Sequence, residues 1–286
     1  MKVLIIYFSQ TGNTEKIAKK IQNGINKSGN DCQIENILDV KLEQIKIFDL
    51  IGLGTPTFFY REPRNIKKFI NNLEPVNQKH CFLFCTHGSQ IGNTFYYMKE
   101  ALINKGYLII GTFDSYSDAS IQFYPTPWHT TGHPDEIELN EAEDFGKNIC
   151  NISLKVHDGD LSLVPEIQLI TDTLWAQESS QLTLDILRRG SPRFTINQEK
   201  CTQCLQCQNK CPSNAINIEI DPPEIQNEGC IFCWFCEKLC PEGAIEADWE
   251  AMKIRNRKNL TMYVKFLEEA EKEGKFRPYI DYKKII

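Results

Sequence analysis

Two cysteine runs near the carboxyl end constrain the fold of this 286-residue chain more than any other feature. Each run has the spacing C-x₂-C-x₂-C-x₃-C-P, the first from Cys201 to Pro212 and the second from Cys230 to Pro241. Thiolates separated by two residues converge on one small concave face, as a cluster of soft metal ions requires. A structural zinc site needs only four ligands in paired C-x₂-C hooks. Eight cysteines with proline closures therefore favour iron–sulfur clusters over zinc or a disulfide scaffold.

Length and charge limit the classes of protein to which the chain can belong. At about 150 residues per domain, the length predicts two domains. The sequence has 32 lysines and arginines against 38 aspartates and glutamates, a net charge of −6, which gives no reason to expect nucleic acid or an anionic membrane as partner. No apolar run approaches the roughly 18 residues of a membrane span, and the amino end has no leader pattern, so we expect a cytoplasmic protein. The other cysteines are predicted to be buried free thiols: Cys32, Cys81, Cys85 and Cys150.

The amino-terminal stretch has the pattern of a strand, a small polar loop and a helix. Residues 2–8, KVLIIYF, form an apolar run of the kind buried on both faces of a parallel sheet. The loop that follows consists of Ser9, Gln10, Thr11, Gly12, Asn13 and Thr14. Backbone N–H groups and hydroxyls at such a helix start favour a phosphate. An ordinary helix capped by Asn13 or Thr11 is the alternative.

Two common nucleotide motifs are absent from this loop. A P-loop requires a lysine after its second glycine, whereas the single Gly12 is followed by Asn13. The Rossmann pattern G-x-G-x-x-G is missing here and also around Gly52 and Gly54. FMN, which carries one terminal phosphate and a flat ring, is then the leading ligand.

Strands and helices continue to alternate as far as residue 150. Strands are predicted at 32–38, 47–53, 80–85 and 107–113, and a closing helix ends near Cys150. This alternation predicts an α/β fold with a doubly wound parallel sheet, whose ligands bind at the carboxyl ends of the strands. Two loops at that edge are suited to clasp a flat ring. The first contains Thr55, Pro56, Thr57, Phe58, Phe59 and Tyr60, and the second contains Thr86, His87, Gly88, Ser89, Gly92 and Asn93.

These first 150 residues resemble flavodoxins. The loop Ser9–Thr14 is similar to the FMN-phosphate loop of that family, and 55–60 and 86–93 lie where its ring-binding loops lie. The resemblance implies a five-stranded parallel sheet in the order 2-1-3-4-5 that binds FMN. One feature departs from the family, because no glycine occurs between Thr55 and Glu62. A left-handed backbone there would meet the Cβ penalty, so we expect the one-electron-reduced flavin to be poorly stabilised.

The cysteine runs resemble those of bacterial two-cluster ferredoxins, in which the fourth cysteine of each run ligates the other cluster. The similarity covers residues 193–247 and includes an internal repeat, CPSNAI at 211–216 against CPEGAI at 240–245. It implies a small α+β ferredoxin-like domain with two [4Fe-4S] clusters. The implied ligands are Cys201, Cys204, Cys207 and Cys240 for one cluster, and Cys230, Cys233, Cys236 and Cys211 for the other.

Taken together, the two halves resemble the flavodoxin/ferredoxin fusion proteins of anaerobes. The expected segments are an FMN domain (1–152), a docking connector with an apolar face (153–192), the cluster domain (193–247) and a basic helical extension (248–286). From Ala251 onward there are ten lysines and arginines against five acidic residues. This charge forms either a solvated helix face or a basic collar for an acidic redox partner.

The sequence also gives expectations for several single residues. His87 is either a proton donor to the flavin or a residue that packs beside the ring. His129 and His133 are expected to be capping or exposed residues, because their spacing is unlike that of a metal site. Trp234 and Phe235, inside the second run, are expected to shield a cluster from water.

We expect electron transfer between the two clusters and FMN, which couples a one-electron low-potential carrier to a two-electron acceptor. One alternative is a ferredoxin-dependent reductase of a flavin, quinone or nitro compound. Another is a redox sensor. The expected partner is a redox protein such as ferredoxin or a ferredoxin-reducing oxidoreductase. A small-molecule acceptor, a homodimer and the question of whether the chain is an enzyme all stay open at this point.

Overall fold

The computed structural model describes residues 1–119, 121, 123–220, 223–226 and 229–285, apart from the side chains of Leu184 and Lys258. The strands of its first half are β1 (Lys2–Tyr7), β2 (Asp31–Asn36), β3 (Leu50–Pro56), β4 (Lys79–His87) and β5 (Tyr107–Tyr116). Its helices are α1 (Asn13–Lys27), α2 (Arg64–Asn72), α3 (Thr94–Ile103) and α4 (Glu136–His157). All adjacent strands pair in parallel in the order β2-β1-β3-β4-β5, which confirms the predicted sheet.

The two faces of this sheet carry separate apolar cores. Leu4 and Ile6 point to the face covered by α2 and α3, and Val3 and Ile5 point to the face covered by α1 and α4. Burial on both sides explains why β1 is apolar throughout. The four cysteines outside the two runs are buried free thiols, as predicted.

The third strand begins later than its sequence indicated. Its predicted start, Ile47, instead ends a 3₁₀ helix (Leu42–Ile47) and is 66% exposed, whereas the next residue, Phe48, is buried. Residues 47–53 form one apolar run, so composition alone does not separate the turn from the strand that begins at Leu50.

Two other elements are longer than predicted. β5 extends to Tyr116, and α4 extends to His157 because Ser153 and Val156 continue its buried face beyond Cys150. A capping box starts α4, in which the side chain of Asp135 accepts from the Glu138 N–H. β2 and β4 differ little from their predicted bounds.

The cysteine-rich half has only short elements. The strands β6 (Phe194–Ile196) and β9 (Ile245–Ala247) form one antiparallel pair, and β7 (Ile216–Asn217) and β8 (Glu224–Ile225) form another. Its helices are α7 (Gln206–Asn209) and α8 (Phe235–Leu239). Such short strands bury little surface.

The intervening segment packs on the first half. It forms α5 (Leu174–Gln181) and α6 (Leu184–Gly190), and the long helix α9 (Glu250–Lys272) follows the cysteine-rich half. The ring of Trp175 lies 5.6 Å from that of Tyr60. The side chain of Asn93 donates to the carbonyl of Ile170 at 2.8 Å and accepts from its N–H at 3.0 Å.

Candidate functional site

The loop after β1 leaves the start of α1 without a side-chain cap. The helix begins after Gly12, whose φ of 92° is left-handed, and no side chain caps it. The Gly12 N–H donates to the Ser9 hydroxyl at 3.1 Å, while the Asn13 amide donates to the carbonyl of Asp118 at 3.1 Å. The alternative of a helix capped by Asn13 or Thr11 is therefore wrong. First-turn N–H groups are left without a side-chain cap, as a phosphate site requires.

The two predicted ring loops contact each other through their backbones. The Asn93 N–H donates to the carbonyl of Tyr60 at 2.8 Å, and Gly92, with φ of 64°, packs against the same residue. Phe59 and Tyr60 have φ of 54° and 65° although neither is glycine. The first ring loop thus adopts a left-handed backbone despite a cost of roughly 1–2 kcal/mol per residue. Contact with the second loop helps to hold it there.

A cavity of about 560 Å³ lies where these loops meet, a size typical of small-molecule sites. Its walls include these predicted residues: Ser9, Gln10, Thr11, Asn13, Thr14, Pro56, Thr57, Phe58, Phe59, Tyr60, Thr86, His87, Gly88 and Ser89. The remaining predicted residues, Gly12, Thr55, Gly92 and Asn93, are not among those that line the cavity. A flat ring and a phosphate fit this combination of aromatic walls and an uncapped helix start. The assignment of each residue to FMN stays a prediction.

Segments beyond residue 150 complete this cavity, and the sequence did not reveal them. Glu178 comes from α5, and Asn256, Asn259 and Tyr263 come from α9. The excess of leucines and isoleucines between residues 151 and 193 indicated docking but not which surface is covered.

Several tyrosines lie along one side of the cavity, and a tyrosine hydroxyl is a neutral hydrogen-bond donor. A tyrosine is protonated at neutral pH because its ordinary pKa is about 10, and burial raises the pKa of Tyr60, Tyr124 and Tyr263 further. The ring of Tyr124 stacks on that of Trp128, with centroids 3.8 Å apart. This wall can hold a flat molecule and donate hydrogen bonds to its oxygens.

His87 is buried in the cavity wall and oriented by two partners. Its Nε2 lies 3.1 Å from the Asp114 carboxylate, and its Nδ1 lies 2.9 Å from the Gly88 carbonyl. Burial raises the pKa of Asp114, but the hydrogen bond and charge of His87 outweigh it and leave that pKa below its ordinary value. The role of His87 as a proton donor stays a prediction.

The two cysteine runs share one backbone conformation. Gln203 and Leu205, which flank the second cysteine of the first run, are left-handed with φ of 51° and 61°. Phe232 and Trp234 occupy the matching positions of the second run and have φ of 56° and 54°. Strained backbone repeated at matching positions is typical of a functional site rather than of chance.

The sulfurs of each predicted ligand set line one small cavity. One is lined by Cys201, Cys204, Cys207 and Cys240, and the other by Cys211, Cys230, Cys233 and Cys236, with Cys207 between them. The N–H groups of Ala215 and Ala244 donate to the sulfurs of Cys211 and Cys240, both at 3.2 Å. Within the described ranges, no three cysteine sulfurs lie within 4.8 Å of one another.

Aromatic side chains join the two halves beside the cavity of about 560 Å³, hereafter the flavin cavity. The ring of Trp234 lies 5.9, 5.4 and 5.5 Å from the rings of Phe59, Phe123 and Trp249. Next to it, the Gln10 amide donates to the carbonyl of Cys233 at 3.4 Å. The second cysteine run therefore contacts the loops of the first half.

His129 and His133 hold the carboxyl-terminal segment, so the expectation that they are capping or exposed is wrong. Both are buried; Nε2 of His129 lies 2.8 Å from the Ile285 carbonyl, and Nε2 of His133 lies 3.0 Å from the Arg277 carbonyl. The other nitrogen of His133 lies 2.9 Å from Glu138. Long-range partners of this kind leave no local sequence signal.

The fold and the site are those of a flavin and iron–sulfur electron-transfer protein. They combine the parallel sheet, the uncapped helix start, the ring-sized cavity and the eight cysteines. Comparison with known families agrees with this class. Residues 4–107 match the family described as flavodoxin domain, and residues 200–258 match the 4Fe-4S dicluster domain. The chain belongs to the flavodoxin family through its first half and continues into a 4Fe-4S ferredoxin domain.

Individual relatives match the first half. An uncharacterized protein of Methanocaldococcus jannaschii is 33% identical over 163 residues, which are 52% of this chain and 98% of that protein. A flavodoxin of Clostridium beijerinckii is 30% identical over 52% of this chain and 99% of its own length. A solved flavodoxin from the domain Archaea has 24% identity and a TM-score of 0.44, covering 54% of this chain and 99% of that one. Among the described residues, none of the helices is long and apolar enough to cross a membrane.

Proposed function

We propose that this protein passes electrons between two [4Fe-4S] clusters and one FMN, and so couples a one-electron carrier to a two-electron acceptor. The clusters exchange single electrons, whereas FMN, when bound, accepts two together with protons. The observation that carries the proposal is a shared wall: Phe232, Cys233 and Trp234 line the same cavity as the three predicted FMN loops.

The two clusters have different places in this proposal. The one on Cys230, Cys233, Cys236 and Cys211 is proximal to the flavin, because Cys233 contacts Gln10 of the phosphate loop. The other is the entry point for a partner, because Cys204 is exposed. We propose a ferredoxin or a ferredoxin-reducing oxidoreductase as that partner.

Removing one ligand from the proximal cluster tests this order. After anaerobic purification and counts of iron and flavin, reduced ferredoxin is mixed with the protein, and flavin absorbance is followed by stopped flow. The Cys233→Ser variant is expected to retain FMN but to lose reduction of the flavin. Cys150→Ser, which alters a free thiol outside both runs, is the matched control and is expected to behave like the parent protein. Undiminished flavin reduction in Cys233→Ser would contradict the proposed route.

A second candidate function is reduction of a small molecule at the flavin. It is favoured by Tyr124 and Tyr263 in the cavity wall, whose neutral hydroxyls suit the oxygens of a quinone or nitro compound. Saturable turnover of a quinone that Tyr263→Phe weakens, while electron entry from ferredoxin is unchanged, would support it. Turnover without saturation would exclude a dedicated acceptor site.

A further inference from the structure

One face of α9 lines the flavin cavity with polar side chains. Met252, Asn256, Asn259 and Tyr263 follow one another at spacings of four, three and four residues, so they lie on one side of the helix. All four line the cavity. A helix face that packs on a protein core is normally apolar. The polar residues on this face therefore indicate a contact with something other than the core.

Asn256 is the most buried of these polar residues, and its amide has no partner. The residue is 7% exposed, and in the described part of the chain neither its amide oxygen nor its amide nitrogen forms a hydrogen bond. The unpartnered hydroxyl of Tyr60 is fully enclosed, whereas the Asn256 amide is not. Because Asn256 lines the cavity, the surface that its amide keeps opens there. A buried polar group left unpaired costs roughly 1–3 kcal/mol, so this amide suits a ligand in the cavity.

Aromatic side chains form a flat wall beside this face of α9. The ring of Tyr263 lies 6.3 Å from that of Tyr124 and 6.1 Å from that of Trp128, edge-on in both cases. Tyr124 and Trp128 are stacked on each other, and both line the cavity. Towards the start of the helix, the Arg255 guanidinium donates to the Gly190 carbonyl and joins α9 to α6. The polar face and the flat wall thus border the same space.

We propose that this part of the cavity binds a second flat molecule, a heterocycle with an amide edge in which an N–H group stands beside a carbonyl. The amide oxygen of Asn256 would accept from the N–H group, and its nitrogen would donate to the carbonyl. The ring would lie along Tyr124 and Trp128. Quinones and nitro compounds offer only acceptors, so they would leave the Asn256 oxygen unpaired.

Nicotinamides and pteridines are two sources of such an edge. The proposal rests on the second candidate function, in which a small molecule shares the cavity with FMN, and it narrows the chemical class of that molecule.

Calorimetric titration of the oxidised, FMN-loaded full-length protein tests this proposal. The probes are NAD⁺, which supplies a carboxamide, and lumazine, a pteridine with a lactam edge. Each has a matched ligand without the N–H group: nicotinic acid adenine dinucleotide for NAD⁺, and dimethyllumazine, in which the ring N–H groups are methylated, for lumazine. We expect at least one probe to bind at one site without displacing FMN, as judged by the flavin absorbance. Its matched ligand is expected to bind at least about tenfold more weakly.

Variants then locate the binding site. Asn256→Ala is expected to weaken binding of the probe about tenfold, and Asn256→Asp, which keeps the size but loses the donor, at least as much. Asn148→Ala, at an exposed position of α4, is the matched control and is expected to have no effect. The FMN dissociation constant, measured by flavin fluorescence, is expected to be equal in Asn256→Ala and the parent protein. Because no electron donor is present, a failure of the proposed electron transfer would not change these results.

Each other result overturns the proposal. A matched ligand that binds as tightly as its probe would mean that the amide edge is not recognised. Probe binding that Asn256→Ala leaves unchanged would belong to another site. Weaker FMN binding in Asn256→Ala would mean that this residue holds FMN instead of a second molecule, and binding of neither probe would exclude the ligand class.

Discussion

Replacing Gly92 by alanine is expected to weaken FMN binding, although Gly92 does not line the flavin cavity. Gly92 lies in the second ring loop with φ of 64°, and an added Cβ would lie 2.4 Å from the Tyr60 carbonyl oxygen and 2.6 Å from its Cα. Both are backbone atoms of the first ring loop, so a side-chain rotation cannot relieve the collision. One of the two loops has to move.

The size of the effect follows from two separate costs. The left-handed backbone of a non-glycine residue costs roughly 1–2 kcal/mol. The collision adds an overpacking cost of about 1–3 kcal/mol. Gly29 provides a matched control, because its φ of 83° carries the first cost, whereas nothing lies within 4 Å of its Cβ position. Gly92→Ala is thus expected to be less stable than Gly29→Ala by about 1–3 kcal/mol.

Two measurements distinguish an effect on the ring loops from an effect on overall stability. Urea denaturation gives the difference between the variants, and flavin fluorescence quenching gives the FMN dissociation constant of each. Because the collision lies between the ring loops, Gly92→Ala is expected to weaken FMN binding roughly 5- to 100-fold, and Gly29→Ala is expected to leave it unchanged. Equal FMN affinity in the two variants would refute the argument that these loops hold each other in the binding conformation.

Two further predictions concern the contacts that join the segments of the chain. Burial raises the pKa of Asp135, but hydrogen bonds from Glu138, Arg277 and Tyr279 outweigh it and lower that pKa to about 2. Asp135→Asn is therefore expected to lower the free energy of unfolding by about 2 kcal/mol at pH 7. In urea titrations, this difference between the variant and the parent protein is expected to shrink as pH falls from 4 towards 2. A difference that stays constant over this pH range would contradict the prediction. Trp234→Ala is expected to lower the free energy of unfolding by about 3–5 kcal/mol and to speed proteolysis between the halves. Trp234→Phe is expected to have smaller effects on both. Equal effects of the two substitutions would show that ring size is unimportant at this position.

The parts of the molecule that the sequence predicted are those with local signals. The run Ser9–Thr14 follows an apolar strand directly, and the spacing of the cysteines identifies their chemistry within a few residues. Tyr263 and His133 gave no such signal, because their partners lie far away along the chain and are fixed only by packing. The predicted start of β3 at Ile47 was wrong for a different reason. Residues 47–53 form one apolar run, which does not show where the turn ends and the strand begins.

The packing between the halves bears on how electrons would travel. A flexible connector would let the cysteine-rich half sample many positions, with an effective concentration in the millimolar range. Here Trp175 lies against Tyr60 and Trp234 lies against Phe59, so the connector and the second cysteine run both contact the same ring loop. Because both contacts are made to one loop, a change there is expected to alter FMN binding and the proposed proximal cluster together. The proposed transfer then depends on the packing of that loop more than on the length of the connector. Inserting residues into an exposed part of the connector would leave the rate unchanged, whereas loss of the Trp234 ring would lower it.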